Sequence, residues 1–139
     1  MMQIRKYEST DREMVLTLWE QVFPNWTGHN DPAASLDRKL LVADDLIFVA
    51  IDGELVVGTV LAGYDGHRGW IYSLAVSTSH RRRGIGTRLL LRAESALESL
   101  GCPKLNLQVR SDNDQVVAFY ESLGFAIEQR ISMGKRLVE

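Results

Sequence analysis

The stretch from Trp70 to Leu90, WIYSLAVSTSHRRRGIGTRLL, constrains this chain more than any other. An apolar run, Trp70 to Val76, ends in a polar segment, Ser77 to His80. Three arginines follow, Arg81, Arg82 and Arg83, then Gly84, Ile85, Gly86 and Thr87, and an amphipathic stretch begins. That order specifies a strand, a basic turn and a helix N-terminus. The free N–H groups and positive dipole end of a helix attract anions. Glycines let a phosphate approach the backbone, and arginines add charge-assisted hydrogen bonds. The residues therefore predict a diphosphate-bearing ligand seated on positions 81 to 87.

Two nucleotide motifs are excluded at this turn. A dinucleotide fingerprint needs a third glycine at position 89, where Leu89 stands. A P-loop needs Gly-Lys-Ser/Thr after four intervening residues, and none follows. What remains is Arg81-x-x-Gly84-x-Gly86 directly after a strand. By itself that pattern also fits an ordinary strand-to-helix connection with solvated arginines.

The rest of the chain reads as one α+β domain over residues 1–139. Residues 3–7 suit a short strand and 11–22 a helix, with Val15, Leu18, Trp19 and Val22 at helical spacing. Asp31-Pro32 opens a second helix, with Leu36, Leu40 and Leu41 as its apolar stripe. Strands follow at 46–51, 55–64 and 70–76, the first two joined by the turn signal Asp52-Gly53. Gly58 and Gly63 mark a bulge or a close backbone approach in the second of them. A helix over 84–100 buries Ile85, Leu89, Ala93, Ala96, Leu97 and Leu100, and Gly101 and Pro103 end it. Leu105, Leu107 and Val109 alternate as a strand, expected parallel to 70–76 because a helix connects the two. Asp112 and Gln115 suit a capping pair for a last helix to Leu123, and 125–128 and 131–136 suit two final strands. This gives a mixed, mostly antiparallel sheet of about seven strands with about four helices on its faces.

Composition narrows the partners. A net charge of −2 argues against a general nucleic-acid binder, so the basic turn is a local feature. The 45% hydrophobic share suits a soluble globular domain, and no apolar run approaches the ~20 residues that span a bilayer. The expected location is cytoplasmic, with no membrane partner, as a monomer or homodimer. Cys102 is the only cysteine, which excludes an internal disulfide and favours a structural role. His29, His67 and His80 are too scattered to predict a metal site.

With the strand, the Arg-x-x-Gly-x-Gly turn and the helix, a second pattern stands downstream: Asn113, Phe119-Tyr120 and Leu123-Gly124-Phe125. Together they resemble the Gcn5-related N-acetyltransferase (GNAT) family, whose fold order matches the one read above. The chain looks like the small bacterial branch called YpeA. The likeness includes Asn30-Asp31-Pro32, Gly63 to Gly69, Gly101-Cys102-Pro103-Lys104 and Gly134-Lys135-Arg136-Leu137. It resembles, less closely, the ribosomal-protein N-terminal acetyltransferases.

The resemblance implies acetyl-CoA as co-substrate and a primary amine as acceptor: a small molecule, a peptide N-terminus or a lysine. It implies that Leu74, Ala75 and Val76 pair with the pantetheine arm, that the Leu74 N–H meets the thioester carbonyl, and that the central parallel strands splay. Arg81 to Thr87 would wrap the pyrophosphate, Asn113 would bond the pantetheine, and Phe119 and Tyr120 would lie at the cofactor, Tyr120 as acid for the departing thiolate. Trp26, Asp31, Tyr64, His67 and Tyr72 are available for the acceptor. Many relatives place a Glu on the central strand to accept the amine proton. Here Ile71, Tyr72 and Ser73 stand there, so a water held by Tyr72, Ser73, Asp65 or Asp31, or bulk solvent, would take the proton. The same departure supports a competing reading, a non-catalytic acyl-CoA-binding or regulatory domain.

Overall fold

The structure, a computed structural model, describes residues 2–138. The chain divides into two compact units, the larger ending at Leu107 and the smaller starting at Gln108.

The larger unit is a five-stranded sheet in the order β1-β2-β3-β4-β5. The strands are β1 (Met2–Lys6), β2 (Ile47–Asp52), β3 (Leu55–Tyr64), β4 (Gly69–Val76) and β5 (Leu105–Leu107). The first four pair antiparallel in sequence, and β5 joins β4 in parallel. Helices α1 (Arg12–Val22), α2 (Pro32–Val42) and α3 (Ile85–Ser99) complete it. Alternation along β3 sends successive side chains to opposite faces. Thr59 meets Trp19 of α1, whereas a Cβ on Gly58 would meet Leu89 and Ile85 of α3. With both faces covered, all of Ile47 to Ile51 is buried. No helix among the described residues is long and apolar enough to cross a membrane.

The core on the α1 side gathers Val15, Leu18, Trp19, Leu36, Val49 and Leu61. At its rim Asp11, 2% exposed, accepts both guanidinium nitrogens of Arg5 at 2.8 and 3.0 Å and the Glu8 amide at 2.8 Å. Bonding to Arg5 outweighs desolvation and holds its carboxyl below the usual range. The pair fastens the start of α1 to β1.

Several expectations shift. The sheet has five strands rather than about seven. Residues 125–128 and 131–136 have no ladder, and Ile131, Met133 and Leu137 are each 90% exposed. Alternating apolar residues show that a segment suits a sheet but do not supply a partner edge. On α2, Leu40 and Leu41 face outward, and Lys39 takes the inward place beside Leu36. Its ammonium is met by Asp44 at 2.7 Å and the Ala62 carbonyl at 2.5 Å, which permits the burial. On α3, Leu90 is buried and Leu100, at the C-cap, is exposed. The β2–β3 turn is Gly53-Glu54, because Asp52 stays in register with Leu55.

Gly58 and Gly63 separate cleanly. Gly58 lies at a bulge between Ala50 and Ile51 of β2, and a Cβ there would lie 2.9 Å from Leu89 Cδ1 and 3.2 Å from the Ala75 carbonyl oxygen. Nothing lies closer than 3.8 Å to a Cβ at Gly63. We therefore expect Gly58→Ala to lose about 1–3 kcal/mol by overpacking and Gly63→Ala to be neutral or slightly stabilising, as measured by urea unfolding. Equal losses at the two positions would contradict this packing.

Candidate active site

The larger unit carries two features side by side in sequence: an irregular strand edge on β4 and the elbow that follows it. The β4–β5 ladder pairs Gly69 with Leu105, Trp70 with Asn106 and Ile71 with Leu107, and stops. β4 continues for five residues, Tyr72 to Val76, with no ladder partner on that side among the described residues. The parallel pairing of β4 with β5 thus covers only the first three residues of β4.

On its other side β4 is bulged. Thr59 pairs with Ala75 and Leu61 with Tyr72, so Ser73 and Leu74 together oppose Val60. A two-against-one bulge frees a residue from the ladder and re-aims the strand. Ser73 takes up the turn with φ of +52°, in the left-handed region, which costs a non-glycine residue about 1–3 kcal/mol unless its surroundings enforce it. The Thr59 hydroxyl donates to the Ser73 carbonyl at 2.9 Å, and the Trp19 indole N–H donates to that hydroxyl at 2.8 Å. Thr59 and Trp19 are both fully buried. The sequence gives no sign of this bulge, since serine in a strand does not announce a positive φ.

After Val76 the chain is tied down before it becomes basic. The Ser77 amide donates to the Val57 carbonyl at 2.8 Å, and His80 Nε2 lies 3.0 Å from Asp52 Oδ2. Arg81, Arg82 and Arg83 are exposed, and none has a carboxylate partner among the described residues. Gly84 caps α3 with φ of +74° and makes no side-chain cap bond; a Cβ there would meet nothing within 4 Å. A left-handed residue followed by helical Ile85 turns successive amides toward one concavity, a nest suited to an anion. Ile85 itself is buried under the sheet, which anchors the helix end behind the exposed amides.

The acceptor candidates are engaged locally. Trp26 stacks on Phe23, centroids 4.0 Å apart at 2°, and lies 6.2 Å from the Trp19 ring. It serves packing around α1. Asp31 caps α2, accepting from the Ala34 amide at 3.1 Å. Asp65 Oδ1 accepts from the amides of Arg68 and His67, each at 2.7 Å, and these bonds hold its carboxyl below the usual range. His67 is exposed on that turn, and Tyr64 is half-buried with its hydroxyl toward the Gly66 carbonyl. Tyr72 is 43% exposed, with the Lys39 ammonium 5.7 Å from its ring centroid. No hydrogen bond or ring contact joins Trp26, Asp31, Tyr64 and His67 to one another among the described residues.

In the smaller unit α4 spans Asp114–Ser122. Its cap is Asn113, whose Oδ1 accepts from the Val116 amide at 3.2 Å, not the expected Asp112–Gln115 pair. Asn113 wins because its own position is the last non-helical one before Asp114. The cap uses the amide oxygen and leaves the NH₂ end to donate. Gly124, at φ of +96°, turns the chain so that the Phe125 amide meets the Tyr120 carbonyl at 3.1 Å. Tyr120 thus sits edge-on between Phe119 and Phe125, with centroids at 5.1 and 5.4 Å. Burial pushes its hydroxyl up to about 12.

Residues 12–125 match the acetyltransferase (GNAT) family. An acetyltransferase of Pectobacterium atrosepticum is 45% identical over 99% of this chain and 97% of its own. One of Sodalis glossinidius is 44% identical over 99% and 97%. Among solved structures, the PaiA N-acetyltransferase of Thermoplasma acidophilum in complex with coenzyme A has a TM-score of 0.81 at 18% identity, over 94% of this chain and 93% of its own. The aminoglycoside acetyltransferase AAC(6')-Iy, in complex with a CoA bisubstrate analogue, has a TM-score of 0.79 at 21% identity, over 99% of both chains. An unpartnered strand edge leading into an arginine–glycine elbow therefore stands within a chain that aligns with acetyltransferases over nearly its whole length, and the chain belongs to the GNAT acetyltransferase family.

Proposed function

We propose that this chain is an acetyl-CoA-dependent N-acetyltransferase that transfers an acetyl group to a primary amine in a ternary complex. The observation that carries the reading is the continuity of the open β4 edge, Tyr72 to Val76, with the uncapped, arginine-flanked start of α3. The edge offers main-chain partners to the amide-bearing pantetheine arm as to an added strand. The backbone of Arg81 to Thr87 receives the pyrophosphate on helix-end amides, with the Thr87 hydroxyl and the arginines adding donors. A thioester supplies an activated acyl carbon. The amine nitrogen bonds to that carbon, the carbon–sulfur bond breaks, and the sulfur leaves with its electron pair.

Three residues shape that exchange. The Leu74 N–H stabilises charge building on the thioester oxygen. Asn113 donates through its NH₂ end to the pantetheine. Tyr120 donates a hydrogen bond to the departing sulfur. Its hydroxyl stands at about 12, whereas a free thiol lies near about 8.5. Full proton transfer from tyrosine to thiolate is therefore uphill by about 5 kcal/mol, so Tyr120 stays protonated and solvent delivers the final proton.

No side chain on β4 suits a base, and the Asp31 and Asp65 carboxylates are held by main-chain amides. The amine accordingly loses its proton to solvent, at the exposed side of the strand where Tyr72 lies. The second reading, a non-catalytic acyl-CoA-binding domain, is favoured by that same lack of a carboxylate at Ile71, Tyr72 and Ser73.

Thermal unfolding with acetyl-CoA at 100 times its Kd is expected to show about 2.7 kcal/mol of added stability. A screen of amines and N-terminal peptides is expected to release free thiol. Stabilisation without thiol release from any amine would select the second reading, and neither would reject both. Tyr120→Phe is expected to lower kcat about 10- to 150-fold, the loss of one hydrogen bond to a charged group, with acetyl-CoA affinity unchanged. Wild-type kcat would remove Tyr120 from the mechanism. The logarithm of kcat/KM for the amine is expected to rise with unit slope up to the amine's own pKa, about 8 for a peptide N-terminus and about 10.4 for lysine. A plateau near pH 6–7 would reveal a protein base.

A further inference from the structure

The proposed transfer depends on the direction of one amide, that of Leu74. Ser73 and Leu74 are the two β4 residues opposite the single residue Val60. Leu74 is thus outside the β3 register, and the β5 ladder ends before it. Its orientation follows from the left-handed turn at Ser73, φ +52°. A serine holds such a conformation only where contacts enforce it.

The contact that does so is directional. An indole N–H donates and never accepts, so the Thr59 hydroxyl must accept from Trp19 at 2.8 Å. That leaves its single proton for the Ser73 carbonyl at 2.9 Å. Trp19 and Thr59 are fully buried, and an unmet donor or acceptor there is expensive. Trp19 cannot swing away. It lies in the core with Val15, Leu18, Leu36 and Leu61, and Trp26 packs against its ring.

Resting on the proposed acetyl transfer, we infer that Trp19 and Thr59 are positioning residues: their buried hydrogen-bond relay locks the Ser73 bulge and so aims the Leu74 amide at the thioester carbonyl. Neither touches substrate. Neither is needed for diphosphate binding at residues 81–87.

The test uses acetyl-CoA labelled with ¹³C at the thioester carbonyl, read by ¹³C NMR on the bound ligand, so no acceptor has to be known. In the wild type the carbonyl resonance is expected to move downfield on binding. In Thr59→Val more than half of that displacement is expected to vanish while the Kd for acetyl-CoA stays within about twofold. Thr59→Ser, which keeps the hydroxyl, is expected to restore it. Trp19→Phe is expected to lose a smaller part, because the Thr59 hydroxyl remains. With an amine found active, kcat is expected to fall about tenfold in Thr59→Val, part of what loss of an oxyanion donor costs, with the KM for the amine unchanged. An unaltered carbonyl resonance in Thr59→Val would overturn the inference, as would a wild-type resonance that does not move on binding. A Kd that weakens in step with the resonance would also overturn it, since the effect would then be general unfolding. If Thr59→Val fails to fold, Trp19→Phe decides by the same two outcomes. A wild type that binds no acetyl-CoA would instead reject the proposed function.

Discussion

One strand, β4, is paired from one side at both ends across a bulge and along only its first three residues from the other, and the rest of the site follows from that imbalance. The short side is pinned hard at its start. The Gly69 amide donates to the Lys104 carbonyl at 2.8 Å, and a Cβ on Gly69 would fall 2.7 Å from Cys102 Sγ. Only glycine admits that approach. Beyond Ile71 the same side of β4 presents a row of main-chain groups with no ladder partner among the described residues. A strand edge of this kind carries N–H and C=O groups that need partners, from water or from an added chain. A ligand built from successive amides, which can add itself as a strand, answers that need.

The opposite side of β4 has the reverse task, to be unyielding. The bulge against Val60 spends conformational strain at Ser73, and the buried line from the Trp19 indole through the Thr59 hydroxyl holds it. Trp19 is in turn wedged by aromatic neighbours in the same helix-and-loop segment, Phe23 and Trp26. Rigid backing and an open front are complementary. A main-chain donor is useful in catalysis only if it does not reorganise when charge appears, so on the inference drawn for Trp19 and Thr59 the packing of α1 would bear on the chemistry of β4.

Much of this was legible in the sequence because it is written in local rules. The strand, the arginine–glycine turn and the helix are set by residue spacing and by glycine at a left-handed cap, and Gly84 behaves accordingly at φ +74°. The parallel placement of β5 follows from its helical crossover. What was not legible depends on partners distant in sequence. Lys39 reads as a solvent-facing residue until Asp44 and the Ala62 carbonyl are brought beneath it. Trp26 reads equally well as a substrate aromatic or as packing until Phe23 is found stacked on it. Asn113 reads as a ligand donor, yet half of its amide is consumed in capping α4. Thr59 reads as one more β-branched strand residue, and nothing in its neighbours reveals that its hydroxyl has a structural task. The apolar alternation after Gly124 is real, but alternation without an edge to join produces no strand.

The ionisable groups tell a consistent story. Asp31, one of the acceptor candidates, and Asp65, beside Tyr64, are both bonded to main-chain amides, and bonding to Arg68 and His67 keeps Asp65 charged. Tyr120 is driven the other way, kept neutral by burial between two phenylalanines. Neither Asp65 nor Tyr120 is tuned to exchange a proton near neutrality, which is where a general acid or base works best. On the proposed function, fixed dipoles at Leu74 and at the start of α3 would accelerate acyl transfer by orientation and electrostatic stabilisation. That division of labour suits acceptors whose amine is already partly neutral in solution. On that proposal peptide N-termini, near about 8, would rank ahead of lysine side chains, near about 10.4, since at neutral pH the fraction of reactive amine differs between them by more than a hundredfold.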